Sequence, residues 1–176
     1  MKEFLLALAL VQATAEADPP VPVEEIQIVE EMPDPVTGEF AVDPYPQSNA
    51  NAGANPFVSA TMADQFGGKS GIRALTDRLV ELSLADPHLS DIFKGHDLVR
   101  FRRVLFEQFC YILAAGCNYS GRDMRAAHAN MGLQRKDLNA LVESLQLAMK
   151  ERRIPFATQN KLLAKLAPMD KAVLQK

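Results

Sequence analysis

The sequence has no tryptophan, only two cysteines and only three histidines. No two of these cysteines and histidines stand at the close spacing of paired zinc ligands, so a zinc site is poorly supported. No apolar stretch reaches the roughly 20 residues that a membrane-spanning helix needs. The cleanest run is Phe4–Val11, preceded by Lys2 and followed by Ala13-Thr14-Ala15 and Ala15-Glu16-Ala17. A positive start, a short apolar stretch and a small-x-small site together predict a secretory signal peptide over residues 1–17. The expected location is periplasmic or secreted, with no membrane association after cleavage. No cysteine stands near either cleavage site to carry a lipid.

Residues 18–60 contain no Lys or Arg, yet hold eight acidic residues and eight of the chain's eleven prolines. Proline blocks both helix and central strand, and one-signed charge with few apolar groups cannot offset the entropy of ordering. The composition predicts an acidic, Pro-rich, disordered linker. Within it, Glu25–Glu30 alternates weakly and could add as a strand to a partner; a solvated spacer is the plainer alternative. Residues 61–176 carry the opposite balance, 18 basic against 12 acidic residues. Their bases are scattered and accompany no nucleic-acid motif, so no nucleic-acid partner is expected.

Residues 61–176 have helical periodicity and no credible strand pair. Ile72, Leu75, Leu79 and Leu82 form one stripe, stopped by Asp86-Pro87. Leu98, Phe101, Leu105, Phe109 and Ile112 form the clearest, with Asp97 placed to cap it and Gly116 just beyond. A short helix is expected from Ser120, whose spacing to Asp123 resembles a capping box, to Gly132. Leu138, Leu141, Leu145 and Met149 mark a fourth helix. Pro155 opens a fifth, with Leu162, Leu163 and Leu166 inward and Pro168 at its end. The fold class is all-α, and the pattern admits bundle and globin arrangements alike.

Only one histidine, His128, falls on the apolar face of an expected helix, with Met124 four residues before and Met131 three after. No second metal-binding side chain shares that face. Periodicity leaves two readings open, a hydrogen-bonded structural histidine or the single ligand of a haem iron.

The segments Asp64-Gln65-Phe66-Gly67-Gly68, Leu84-Ala85-Asp86-Pro87 and Phe93-Lys94-Gly95 suggest more, as does the run Tyr119-Ser120-Gly121-Arg122-Asp123-Met124-Arg125-Ala126-Ala127-His128 followed by Gly132-Leu133. Together they make residues 64–168 resemble the group I truncated hemoglobins. The resemblance implies a two-over-two helical sandwich around haem b, with His128 as the proximal ligand to iron. It implies that Phe93 stacks on the haem and that Leu98, Phe101, Leu105 and Phe109 line the distal side. It sets Leu133, Leu138 and Leu141 on the proximal side, with Met124 beside them. Tyr119 corresponds to a tyrosine that can reach a propionate, and Arg122 or Arg125 is a candidate propionate partner.

The departures carry as much information. Many members have a tyrosine on the second helix and a glutamine on the distal helix to bond a bound ligand; here those positions are Val80 and Leu105. The missing donor removes roughly 1–3 kcal/mol of ligand stabilisation, or about one to two decades of affinity. A five-coordinate iron with weak oxygen retention, better suited to NO or CO, is expected. The family's Gly-Gly-Pro before the next helix is Ala114-Ala115-Gly116. Similar exported members carry a cysteine pair at Cys110 and Cys117, and in an oxidising compartment these two are expected to join, with the chain reversing near Gly116. The expected function is binding of a diatomic gas (O2, NO or CO). Redox turnover would need an external electron donor. A haem carrier or tethered partner-binding module, and a helical domain that has lost haem, are the alternatives.

Overall fold

The computed structural model describes residues 32–174. The signal-peptide expectation and the first part of the expected linker lie outside them. Among the described residues the helices are α1 (Thr61–Gln65), α2 (Gly68–Ala85), α3 (Ser90–Phe93), α4 (Leu98–Ile112), α5 (Met124–Ala127), α6 (Arg135–Glu151), α7 (Phe156–Leu166) and α8 (Asp170–Val173).

The expected stripes become the core. Ile72, Leu75 and Leu79 turn one face of α2 inward, and α2 packs on both α4 and α6. Ile112 from α4, Leu145, Ala148 and Met149 from α6, and Leu162 from α7 meet it in a single cluster. Each fully buried Leu, Ile or Met side chain contributes about 1.5–3 kcal/mol relative to exposure. The buried hydroxyls on α2 are satisfied within the helix, since Ser83 donates to the Leu79 carbonyl and Thr76 to the Arg73 carbonyl. A Cβ at position 71 would lie 1.9 Å from the Phe66 carbonyl oxygen, so the close approach of α1 to α2 requires Gly71.

The helix ends follow local chemistry. Asp97 accepts the Arg100 N–H and caps α4 as expected. Gln134 and Asp137 form a reciprocal capping box at the start of α6. Ala114 and Gly116, both at positive φ, reverse the chain after α4, which brings the Cα atoms of Cys110 and Cys117 to 5.5 Å and allows the disulfide between them. Pro155 stands immediately before α7, and Pro168 sits in the 3-10 turn Ala167–Met169.

Two expectations are corrected. Helix α5 is a single turn starting at Met124, capped by Asp123 rather than Ser120; the Ser120 N–H and hydroxyl are instead both held by Glu107. Residues 32–60 are not a free spacer. They run as a strap over the helical body. Asp34 closes a turn by accepting the Val36 and Thr37 N–H groups. Glu39 is buried against α4, Asn49–Ala52 form a 3-10 turn with Ala52 fully buried, and the Phe57 N–H donates to the Ile112 carbonyl. Paired charge and long-range hydrogen bonds supply the ordering free energy that local composition lacks.

Candidate functional site

The site is built around His128, the residue that ends α5. Its Nδ1 lies 2.7 Å from the Met124 carbonyl oxygen, four residues earlier. A carbonyl can only accept, so Nδ1 carries the proton and Nε2 of the neutral imidazole keeps its lone pair. The side chain is half-buried. Among the described residues no group of three or more His, Cys, Asp or Glu could hold a metal ion. The donor set is therefore one oriented imidazole, which suits a group that brings its own equatorial ligands and asks the protein for one axial bond.

Apolar surface accompanies it. Leu98, Phe101 and Leu105 on α4, Phe93 on α3, and Leu133, Leu138 and Leu141 around the start of α6 are all half-buried. Leu105 and Leu141 pack against the same central cluster, which brings the expected distal and proximal helices together on one core. Phe93 stacks on Phe101 with ring centroids 5.0 Å apart. Val80 is fully buried, and Phe109, at 3 % exposure, belongs to the core itself. The side chains of Val80, Phe101 and Leu105 carry no hydrogen-bonding group.

The structure places three expected residues elsewhere. Tyr119 and Met124 join Ala52 in a separate buried cluster beneath the strap. The Tyr119 hydroxyl donates to the Arg122 carbonyl at 3.0 Å, within its own loop, and burial pushes its pKa up to about 12. Met124 takes the Gln108 amide at its sulfur, 3.2 Å away. The Arg122 guanidinium lies 5.1 Å over the Tyr45 ring and donates to the Asp43 carbonyl, so its charge is turned to the strap.

Sequence patterns missed the polar frame around the site. Both carboxylate oxygens of Glu39 receive Arg103, and Arg100 stands 3.3 Å away. The Arg103 hydrogen bond, with the Arg100 and Arg103 charges, holds the Glu39 carboxyl below its usual range against the effect of burial. Burial works to raise the Asp97 carboxyl, but N–H donation from Arg100 and Phe40 and the Arg100 charge prevail and lower it. Besides Asp97, expected as a cap, Gln108 leaves a trace in the sequence, an amide set between Leu105 and Phe109 on an otherwise apolar stripe.

With this geometry in view, comparison with known proteins is specific. Residues 61–175 match the bacterial-like globin family. A group 1 truncated hemoglobin from Nostoc commune is 28% identical over 117 residues, covering 66% of this chain and 99% of the relative. One from Tetrahymena pyriformis is 26% identical over 100 residues, 57% of this chain and 83% of the relative. The Fe(III) crystal structure of the Tetrahymena pyriformis truncated hemoglobin superposes with a TM-score of 0.63 at 24% sequence identity, over 65% of this chain and 98% of that one. A fold of two-over-two type, a lone imidazole with its second nitrogen held, and a family match over the whole helical body converge: this chain belongs to the bacterial-like globin family and is similar to group 1 truncated hemoglobins.

Proposed function

We propose that this protein binds haem b, which His128 Nε2 would hold, and that the bound haem would take up a diatomic gas. The observation that carries the reading is the hydrogen bond from His128 Nδ1 to the Met124 carbonyl, which fixes the tautomer and would leave Nε2 free to hold a metal. Haem, when bound, supplies an iron that can take O2, NO or CO. The chain's part is to hold the imidazole, offer apolar contact from Phe93, Leu98, Phe101 and Leu105, and exclude water. Because Val80 and Leu105 present no donor, oxygen gains no hydrogen bond from these positions. The reading is a gas-binding protein with fast oxygen release, favouring NO and CO. We further assign it to an exported, periplasmic or secreted, location, which the Cys110–Cys117 disulfide supports.

The decisive test is a visible spectrum of the full chain reconstituted with hemin, ferric and then reduced, with and without CO. The expected result is a Soret band that is lost in His128→Ala and recovered when imidazole is added to His128→Gly. A folded, colourless protein in the presence of ample hemin would overturn the assignment, and a six-coordinate low-spin spectrum without added ligand would overturn the five-coordinate part. Cell fractionation tests the location.

A further inference from the structure

Helix α4 is held from behind. Helical spacing sets Leu98, Phe101 and Leu105 on one face and Arg100, Arg103 and Glu107 on the opposite one. The strap closes on that second face. Glu39, 8% exposed, accepts from both Nε and Nη2 of Arg103, and the Phe40 N–H donates to Asp97 at the helix start. Arg103 also reaches Glu107 and the Ser120 hydroxyl, and Glu107 in turn holds the Ser120 N–H. A continuous charged chain thus runs from the strap through α4 to the loop that leads to His128.

The same strap then grips that loop directly. Asn49 accepts the Tyr119 N–H at 2.7 Å and donates to Asn118, while Tyr45 donates to the Ser120 carbonyl at 2.9 Å. Asn51 donates to the Gly121 carbonyl at 3.2 Å, and Gln108 of α4 donates to the Ala52 carbonyl at 2.9 Å. Gly53 adopts φ +80°, and a Cβ there would lie 2.7 Å from the Met124 side chain, so the strap comes as close to α5 as a backbone without a side chain allows. One segment, upstream of the residues that match the globin family, is bonded to both α4 and the loop before His128.

We infer that residues 33–57 are a built-in strap that fixes the position of α4 relative to the His128 loop, with Glu39 and Asn49 as positioning residues for bound haem. The inference rests on the haem assignment above. Glu39 acts through α4, because removing a carboxylate held between two guanidiniums takes from Arg100 and Arg103 the anion they share and leaves each only its partner on its own helix, Asp97 and Glu107. Asn49 acts through the Tyr119 amide, nine residues before the imidazole.

The test uses the full chain reconstituted with hemin, comparing the parent with Glu39→Gln, Glu39→Asp and Asn49→Ala. Glu151→Gln serves as control, since it removes the Arg78–Glu151 ion pair between α2 and α6 without touching the strap. Two quantities are read: the rate of haem transfer to apomyoglobin, and the iron–imidazole stretching band of the reduced, ligand-free protein. Glu39→Gln and Asn49→Ala are expected to release haem about tenfold faster and to shift or broaden the band, Glu39→Asp to recover part of the change, and Glu151→Gln to match the parent. Parental release rates and bands in Glu39→Gln and Asn49→Ala, both folded by circular dichroism, would overturn the strap. If the parent takes up no hemin, the haem assignment falls, and amide exchange in the apoprotein decides the strap by itself. Faster exchange at Tyr119 in Asn49→Ala supports it, and unchanged exchange overturns it.

Discussion

On one face of α4, Leu98, Phe101 and Leu105 offer a ligand only carbon; on the other, Arg100, Arg103 and Glu107 all pair with neighbouring charges. The polar groups of the helix are committed to anchorage. On the function proposed above, the apolar face would border the bound gas without a donor, and only its shape would place the ligand. Charge on the far face would fix the helix without bringing water to that apolar side.

The comparison can be broken most severely at His128. His128→Ala should abolish the Soret band altogether while leaving helicity unchanged by circular dichroism. Next comes the staple at the end of α4. Replacing Cys110 and Cys117 together by serine opens a loop of sequence separation 7 and should lower stability by about 2–3 kcal/mol in denaturant titration. A polar group moved to the apolar face would sharpen the contrast. Leu105→Gln should slow oxygen release by about tenfold or more in stopped-flow measurements, the amide donating roughly 1–2 kcal/mol to the bound gas; an unchanged off-rate would mean that the face does not border the ligand. The smallest expected effect is on the charged face. The Glu39 carboxyl is lowered from its ordinary value of 4.5 by the Arg103 hydrogen bond. Its stabilisation is therefore present above that value and is lost as pH falls through the lower, folded one. Melting temperature should drop more steeply below pH 4.5 in the parent than in Glu39→Gln.

What the sequence disclosed and what it hid follow the same division. The apolar faces of α2 and α4 were legible because a period of three and four residues is a local signal, and Asp97 was legible as a cap because its partner, Arg100, is three residues away. The disulfide followed from the reversal at Gly116 and from family likeness. The strap was not legible. Its acidic, Pro-rich composition signals solvation, while the partner of Glu39 is 64 residues distant and the partner of Asn49 is 70; composition carries no trace of pairings at that range. Ser120 was misassigned as a cap for the same reason, its hydroxyl being claimed by Glu107 from 13 residues back. His128 stood out by position, but its role came from the likeness of its flanking run, and only the structure shows which ring nitrogen is held.

The strap also decides where this domain can be cut. A gene fragment begun at Thr61, the edge of the family match, would discard Glu39, the anion that Arg100 and Arg103 share. It would strand the Tyr119 N–H and the Gln108 amide at a freshly exposed surface, and uncover Met124 beside the turn that ends in His128. Such a fragment should come out poorly soluble and, on the function proposed above, quick to lose haem; an expression plan that starts at Pro33 avoids the loss.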